Sequence, residues 1–348
     1  MQNDITKIAV LADHFDLGSS AQQLLDRFLI GYPQDGEFRR IPNCRVVACE
    51  LAPRADSNLT KRVADFGLTI ATNIRQCVED ARGVIVVPPQ LVHEGSVVRN
   101  IVEAMASEGR LFVYGALAKT ADATAAVLSL AQPRRIAVAV GTNACGAFRL
   151  PDIQITPGTR LRRALIVGQG SYPAAEIDAL AALLPAIQQR QKGETGVTEI
   201  GFHEGSDVWK LLEGEMQPLL ASALSRSDTP QGDPVADGRT QDLVGLGLVR
   251  RLAKKPRCWS LRHRDGLLSV IAILDGVVAD MNMALETRAG EKMSWQLYRP
   301  PAHAEHHYSR LAGIIEEFFR TGKVVPPLND GVVLSQVLEQ FEKRAGDI

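Results

Sequence analysis

Short segments made almost wholly of apolar residues alternate with longer, mixed segments through residues 7–140. The apolar segments cover residues 7–12, 45–51, 83–87, 111–114 and 135–140. The segments between them predict helices at residues 20–30, 58–67, 95–107 and 121–131. Strands that lack polar positions are typical of a parallel sheet with helices on both faces. We therefore predict an α/β Rossmann-type, nucleotide-binding-like domain with a doubly wound parallel sheet, spanning residues 1–145.

This alternation stops near residue 150, and the remainder has a different pattern. Helices are predicted at residues 174–191, 208–224 and 306–321, with one more within 326–346, and strands at residues 197–203, 258–263, 267–274, 277–287 and 293–298. Asp265-Gly266 between two apolar strands predicts a β-hairpin. We expect a C-terminal α+β domain with a mainly antiparallel sheet at residues 146–348, whose last helices could pack back on the first domain. Residues 225–239 are interpreted as a surface loop. Residues 31–43 are also interpreted as a surface loop, with part of a pocket or an oligomer contact as the alternatives.

Composition and charge narrow the class of partner. A net charge of -1 over 348 residues argues against binding to nucleic acid or to an anionic membrane. The chain has no apolar run of transmembrane length and no secretory leader pattern, so a cytoplasmic protein is expected. The five cysteines are scattered, which is typical of reduced thiols. His203 lies near Glu204 and Asp207, but no second cluster supports a metal site, and none is predicted.

The first strand-to-helix turn, residues 13–20, lies where a Rossmann domain holds a dinucleotide. A working turn is glycine-rich, which lets the backbone approach the pyrophosphate at the start of the helix. This turn has one glycine, Gly18, and two aspartates, one of them Asp13, whose charges would repel a pyrophosphate. Phe15 and Leu17 would also obstruct its close approach. A Rossmann domain that no longer binds a dinucleotide in the usual pose is therefore one interpretation.

Other groups in the same region favour cofactor binding. The backbone amides of residues 18–21 and the hydroxyls of Ser19 and Ser20 can bind a phosphate at the start of the helix. Glu50 ends the second strand, where an acidic residue can bind a ribose. Acidic residues also end many strands as solvated groups. NAD or NADP is thus the candidate cofactor, with no cofactor at all as the alternative.

Several segments, taken in order along the chain, resemble those of a known family. They are Val-Val-Pro-Pro-Gln-Leu-Val-His at residues 86–93, the strand at residues 110–120 that runs into Leu-Ala-Lys-Thr, and the helix at residues 315–323 with the two prolines after it. Residues 27–33 and 190–197 resemble an outlying, divergent branch. The order is similar to that of the glucose–fructose oxidoreductase / inositol dehydrogenase (Gfo/Idh/MocA-like) family. The resemblance implies a two-domain NAD(P)-dependent oxidoreductase that acts on a sugar-like or polyol hydroxyl.

The resemblance also implies roles for individual residues. Pro88, Pro89 and His93 would lie on the cofactor side of a cleft, although His93 is equally suited to cap the turn. The Glu-Lys-Pro triplet of the family falls on residues 114–116, so that its lysine is replaced by a glycine, which offers no acid or base. Lys119, four residues later, is the nearest substitute.

Two residues of the second domain complete the implied site. The histidine that serves the family as general base aligns with Asp178, which could accept a proton if burial raised its pKa. The alternative is a first-turn aspartate that favours the start of a helix through the helix dipole. Arg149 stands at the crossover between domains, where the family places substrate contacts, and could bind an anionic or hydroxyl-rich ligand.

Three functions stay open on this basis. The first is an NAD(P)-dependent oxidoreductase for a small sugar-like or polyol ligand, with Lys119, His93 or Asp178 as its acid–base groups. The second is a catalytically inactive pseudo-oxidoreductase that serves as a binding or partner subunit, which the altered turn, lysine and histidine favour. The third is redox-neutral sugar chemistry, for which no acid–base pair is located. We also expect a homo-oligomer through an exposed face of the C-terminal sheet.

Overall fold

The computed structural model describes residues 6–54, 57–91, 93–229, 243–300 and 306–345. The chain divides into two compact units, Met1–Gly146 with Pro300–Glu339, and Ala147–Arg299 with Gln340–Ile348. Of the loop expected at residues 225–239, the part from residue 230 onward lies outside the described residues. Within the described ranges, every helix is too short or too polar to cross a membrane.

The first unit is built around six parallel strands. Its elements from the N-terminus are β1 (Thr6–Ala12), α1 (Ser20–Leu29), β2 (Tyr32–Gln34), β3 (Glu37–Arg39), β4 (Cys44–Glu50), α2 (Leu59–Phe66), β5 (Thr69–Ile70), α3 (Ile74–Val78), β6 (Gly83–Val87), α4 (Ser96–Ala104), β7 (Arg110–Tyr114), α5 (Ala121–Ala131), β8 (Ala137–Gly141) and the 3-10 helix Asn143–Gly146. The sheet order is β5-β4-β1-β6-β7-β8, with neighbouring strands parallel. This is the strand order of the Rossmann fold, and it confirms the predicted α/β domain.

Burial on both faces explains why these strands are apolar throughout. Val84 and Val86 of β6 belong to one core cluster with Val98 and Val102 of α4. Ile85 points to the opposite face of the sheet, because side chains alternate along a strand, and it is also fully buried. Each such side chain contributes about 1.5–3 kcal/mol by leaving water, so neither face tolerates a regular polar position.

The second unit contains a seven-stranded mixed sheet. Its elements are β9 (Phe148–Leu150), β10 (Leu161–Gly168), α6 (Ala174–Ile187), β11 (Val197–Glu204), α7 (Ser206–Leu212), α8 (Gln217–Leu224), α9 (Leu248–Leu252), β12 (Lys254–His263), β13 (Leu268–Asp275), β14 (Asn282–Thr287) and β15 (Lys292–Tyr298). The order is β11-β12-β13-β10-β14-β15-β9. Among these described strands the central β13–β10 pair is parallel and the other pairs are antiparallel. The predicted α+β domain with a mainly antiparallel sheet is confirmed.

Helices of the same unit cover both faces of this sheet. Leu165 and Val167 of β10 pack in one cluster with side chains of α7, α8 and α9. Ala164 and Ile166 point the other way and are also fully buried, and α6 lies against β10 and β13. The exposed sheet face on which the expected homo-oligomer rested is therefore absent from the described part of the unit. The homo-oligomer itself stays a prediction, and it would need a surface other than the central strands of this sheet.

Two helices follow the second sheet, α10 (His307–Thr321) and α11 (Val332–Ala345). α10 belongs to the first unit, where it contacts α1, β2 and the 3-10 helix Asn143–Gly146. The β2–β3 hairpin stands where the sequence suggested a surface loop. Its buried Tyr32 donates a hydrogen bond to Glu316 of α10 at 3.0 Å, and Arg39 forms an ion pair with the same carboxylate at 2.9 Å. The loop interpretation of residues 31–43 is thus corrected to a hairpin that packs on α10.

Candidate functional site

The carboxyl ends of the parallel strands in the first unit form the edge at which Rossmann domains bind ligands. The favoured place lies between β1 and β6, where the strand order reverses. Ala12 at the end of β1 is in register with Glu50 of β4 on one side and with Val87 of β6 on the other. The turn after β1, Glu50 and the Pro88-Pro89 turn therefore meet at one edge, as the sequence suggested.

α1 begins at this edge with two backbone donors that a ligand can use. The Ser19 hydroxyl caps the helix by accepting the N–H of Gln22 at 3.2 Å. Gly18 adopts a left-handed φ of 79° and donates its N–H to the Gln22 side chain at 2.9 Å. Among the described residues, no acceptor takes the N–H groups of Ser20 and Ala21. Both lie at the positive end of the helix dipole, which suits an anion.

The other side chains of this turn hinder an anion less than the sequence suggested. Phe15 is only 1% exposed and belongs to the core, whereas Leu17 is 73% exposed. Asp16 forms an ion pair with Arg54 at 2.5 Å, which compensates its charge. Asp13, half-buried, is the remaining acid of the turn. Of the four expected obstacles, Asp13 and Leu17 are those that a pyrophosphate would meet.

Glu50 and the two prolines lie on either side of β1. One carboxylate oxygen of Glu50 accepts the hydroxyl of Ser57 at 2.7 Å, which fixes the orientation of the carboxylate at the strand end. Pro88 is buried directly after β6, and Pro89 is exposed. The fixed φ of proline holds the chain in an extended turn here. Glu50 is thus positioned, rather than freely solvated.

His93 is held by backbone groups at both ring nitrogens. The N–H of Gly95 donates to Nδ1 at 3.0 Å, so the ring proton lies on Nε2, which donates to the carbonyl of Ala116 at 3.0 Å. The carbonyl of His93 also accepts the N–H of Lys119 at 2.7 Å. Burial lowers the pKa of His93, which favours the neutral ring in this arrangement. The contacts are those of the turn-capping role that the sequence left open.

The side chain of Lys119 forms an ion pair with Glu94. The Lys119 side chain is 37% exposed and that of Glu94 is 70% exposed. An ion pair this exposed is worth at most about 1 kcal/mol, so a ligand can displace it. Among the predicted acid–base side chains, Lys119 is therefore the one whose ion-pair partner, Glu94, a bound ligand could replace most easily.

Gly115 has a backbone conformation that excludes a lysine at this position. Its φ is 101°, a value that side chains with a Cβ rarely adopt. A Cβ would lie 3.1 Å from Cδ2 of Leu91 and 3.3 Å from its carbonyl oxygen. At this position a lysine would therefore be strained by the backbone as well as crowded by Leu91.

A cluster of hydroxyl and amide groups at the same edge is not signalled by the sequence. The hydroxyl of Tyr308 in α10 lies 2.7 Å from Oγ of Ser20 and 3.4 Å from the hydroxyl of Tyr114. Asn143 donates its side-chain N–H to Tyr308 at 3.5 Å. Oδ1 of Asn143 is buried and has no hydrogen-bond partner within the described ranges. Tyr308 is 288 positions away from Ser20, so no local pattern could join them.

In the second unit, Asp178 and Arg149 are both engaged in contacts. Asp178 is the fifth residue of α6 and pairs with Arg299 at 3.2 Å. It lies beyond the first turn, so the ion pair replaces the helix-dipole explanation. Arg149 donates to the carbonyl of Ile153 at 2.9 Å, and its guanidinium lies 4.8 Å from the ring centroid of Trp295.

A polar cavity of about 400 Å³ lies within the second unit. Its lining includes Gln169, Asp228, Asp280, Gln296, Tyr298 and Arg299. Gln296 donates to both carboxylates, at 2.6 Å to Asp228 and 2.8 Å to Asp280. Oε1 of Gln296 is buried and finds no partner among the residues described. Carboxylate and amide oxygens accept hydrogen bonds from hydroxyl groups, so the lining suits a ligand rich in donors.

No protein-family model matches the sequence, and no curated protein matches it. Solved structures match its fold over almost the whole length. Scyllo-inositol dehydrogenase from Lactobacillus casei has a TM-score of 0.59 at 9% identity, covering 99% of this chain and 98% of that chain. Myo-inositol dehydrogenase from Lactobacillus casei, solved with NAD(H) and myo-inositol, has a TM-score of 0.58 at 13% identity, covering 99% of this chain and 95% of that chain.

A third structure has a different ligand in the same fold. Biliverdin reductase from Synechocystis, solved with biliverdin and NADP+, has a TM-score of 0.52 at 12% identity and covers 98% of each chain. Identities this low show a shared fold, and an inositol and a bilin in one fold show that the fold does not set the ligand. The chain has the two-domain fold of Gfo/Idh/MocA-type dehydrogenases, as the motifs in its sequence implied.

Proposed function

We propose that the chain is an NAD(P)-dependent oxidoreductase that acts on a hydroxyl group of a sugar-like or polyol substrate. The observation that carries the proposal is the start of α1, where two backbone donors and two serine hydroxyls stand at the switch point of a Rossmann-ordered sheet. A dinucleotide pyrophosphate is the anion that such a position binds. The solved structures of the same fold that hold NAD(H) or NADP+ support the choice of a nicotinamide cofactor.

The proposed cofactor site uses residues on three neighbouring strands. Gly18, Ser19 and Ser20 would bind the pyrophosphate, with Asp13 at the margin of the turn. Glu50, held by Ser57 at 2.7 Å, would accept hydrogen bonds from a ribose. Pro88, Pro89 and His93 would form the wall after β6. The ring of Phe15 is buried in the core and Asp16 has Arg54 as an ion-pair partner, so Asp13 and Leu17 are the residues of the turn that the ligand would have to pass.

A bound nicotinamide supplies the acceptor for a hydride, so the protein must handle only the hydroxyl proton. We assign that proton to Lys119, whose exposed ion pair with Glu94 is readily exchanged. With a nicotinamide bound there, the substrate carbon would lose a hydride to it, and Lys119, after leaving Glu94 and giving its own proton to solvent, would take the hydroxyl proton as a neutral amine. His93 holds the backbone of Ala116 and Lys119 in place. Asp178 would position the guanidinium of Arg299, with which it forms an ion pair.

The proposed substrate pocket is the cavity that contains Asp228, Asp280 and Gln296. Its volume of about 400 Å³ is sufficient for a monosaccharide or a cyclitol. Arg299 on its lining links it to Asp178. A small molecule, rather than nucleic acid, suits the net charge of -1.

The test is calorimetric titration with NAD and NADP in both redox states, on the unaltered protein and on two variants. Ser19→Asp keeps the helix cap, because aspartate caps as well as serine, but places a negative charge beside the pyrophosphate. Ser19→Asn is the matched neutral cap. We expect micromolar binding by the unaltered protein and by Ser19→Asn, and a loss of at least about tenfold, or ~1.4 kcal/mol, in Ser19→Asp.

Two outcomes would overturn the proposal. Absence of binding up to millimolar nucleotide would favour the catalytically inactive binding or partner subunit. Equal affinity in all three proteins would place the nucleotide away from α1.

A further inference from the structure

A second polar cavity in the second unit is lined mainly by cations. Its volume is about 520 Å³. It lies where β10 begins, where α6 ends, and where the turns after β12 and β14 meet them. Its lining residues are Thr159, Arg160, Leu161, Arg190, Gln191, Lys192, Asp265 and Arg288. Four of these eight side chains are cationic, and one is acidic.

Backbone hydrogen bonds join the walls of this cavity. The N–H of Arg288 donates to the carbonyl of Arg160 at 2.8 Å, and the N–H of Gln191 donates to the carbonyl of Thr159 at 3.0 Å. Three segments distant in sequence are thereby fixed to one another. The backbones that carry the cations are therefore held in place, which reduces the entropy lost when a ligand orders the site.

Within the described ranges, neither of the two exposed arginines, Arg160 and Arg288, forms an ion pair with an acid. Nε of Arg160 donates to the neutral amide oxygen of Gln191 at 2.8 Å. Arg288 donates to the backbone carbonyl of Asp265 at 2.8 Å. Both contacts orient a guanidinium without cancelling its charge. Lys192, also exposed, adds a third positive charge.

The single acid of the lining is already paired. Asp265 accepts from the buried Arg190 at 2.8 Å and from Thr195 at 3.1 Å. Burial alone would raise the pKa of Asp265, but its hydrogen bond to Arg190 and the charge of that residue outweigh burial and bring the pKa to about 2. Asp265 therefore stays ionised, and its negative charge is paired with the positive charge of Arg190. The net charge left to a ligand in the cavity comes from Arg160, Lys192 and Arg288.

We propose that this cavity is a binding site for the phosphate group of a small phosphorylated metabolite. Guanidinium groups donate pairs of hydrogen bonds to phosphate oxygens, and the positive charges of two arginines and a lysine attract the anionic phosphate of a phosphomonoester. The volume leaves room for the sugar-sized remainder of such a molecule. This site is independent of the proposed cofactor site, since all its residues lie in the second unit.

The experiment is calorimetric titration at constant ionic strength with inorganic phosphate and glucose 6-phosphate, with glucose and citrate as comparison ligands. The variants are Arg160→Gln/Arg288→Gln, Lys192→Gln and, as a matched control, Arg251→Gln, which removes an exposed charge of α9 outside the cavity. We expect glucose 6-phosphate to bind the unaltered protein and Arg251→Gln equally. We expect its affinity to fall at least about tenfold in the double variant and severalfold in Lys192→Gln.

The proposal is overturned if the phosphate ester does not bind, or if it binds the double and single variants as tightly as the control. It is also overturned if citrate binds as tightly as the phosphate ester, because the cavity would then select charge rather than phosphate. Should the double variant fail to fold, Lys192→Gln decides alone. Titration of each variant with NAD shows whether the cofactor proposal stands or falls separately.

Discussion

Among single residues, Gly115 most clearly separates this chain from the Glu-Lys-Pro motif. Its φ of 101° turns the chain after β7, and Leu91 occupies the space that a Cβ would need. A lysine introduced here would have to distort the turn before it could reach any substrate. In the proposed reaction the proton would therefore be transferred by another side chain, for which Lys119 is our candidate.

Replacing Gly115 with alanine should test this geometry. We expect Gly115→Ala to lower the free energy of unfolding by about 2–3 kcal/mol, because strain at positive φ adds to the close contact with Leu91. Gly36→Ala is the matched control, since Gly36 has a φ of 80° but open space around its Cβ position. It should lose only about 1 kcal/mol. Urea denaturation measures both, and equal losses would refute the role of Leu91.

His93 should make stability depend on pH. Burial lowers its pKa in the folded protein below the unfolded value of about 6.5. As the pH falls through that value, the unfolded chain binds a proton more readily than the folded protein, so stability decreases. We expect the free energy of unfolding to decrease between pH 7 and pH 5, and to decrease less in His93→Gln. Denaturation at a series of pH values provides the measurement, and an unchanged slope in the variant would count against it.

At the scale of elements, the local sequence pattern predicted the positions of those helices and strands that have one or both faces uniformly apolar. Five strands of the parallel sheet and α10 were placed to within a few residues, whereas the two-residue edge strand β5 and the short helix α3 were missed. β10 was missed, although it is central to the second sheet, because two arginines interrupt its apolar run. The helix predicted at residues 208–224 is divided into α7 and α8 around Gly214. A strand such as β10 is formed by pairing with strands distant in sequence, and its local sequence does not reveal this pairing.

The hairpin at β2 and β3 shows the same limit. Its strands are three residues each, too short for a period-2 pattern to be recognised. The hairpin is stabilised by Glu316 of α10, whose carboxylate accepts hydrogen bonds from both Tyr32 and Arg39. A segment whose partners are almost 300 positions away offers no local signal of its structure.

The junction between α6 and the β12–β13 turn depends on one buried ion pair. The Arg190 side chain is 1% exposed and lies 2.8 Å from Asp265. We expect Arg190→Met to lower the free energy of unfolding by about 3 kcal/mol, because it leaves a partly buried carboxylate without its partner. Arg160→Met, at an exposed position, should change it by no more than about 0.5 kcal/mol. Similar values for the two variants in urea denaturation would contradict the importance of the pair.

For the whole molecule, the cover over the second sheet bears on oligomeric state. α7, α8 and α9 bury the face that the sequence left open. We expect light scattering after gel filtration to give the mass of one chain across a dilution series, because helices cover both faces of the central strands in the described part of the second sheet. A stable dimer would require a different surface. The oligomer was expected because the sequence predicted an open face of the C-terminal sheet, and apolar strand residues do not reveal which element covers them.

The candidate site could be predicted from the sequence only in part. The turn before α1, Glu50 and the two prolines follow from the order of strands, because parallel strands bring their carboxyl ends to one edge. Asp228, Asp280 and Gln296 are separated by 52 and 16 positions, and only the folded sheet brings them into one cavity. Tyr308 likewise reaches Ser20 only because α10 folds back on the first unit.

That return of α10 has a consequence for synthesis on the ribosome. The 3-10 helix Asn143–Gly146 packs so closely on α10 that a Cβ on Gly146 would lie 2.0 Å from the carbonyl oxygen of His307. Translation at about 5–20 residues per second needs roughly 8–30 s to pass from residue 146 to residue 300. Throughout that interval the nascent first unit exposes the apolar surface that α10 later covers. The N-terminal unit therefore completes its core last, and the emerging chain presents a binding surface for chaperones in the meantime.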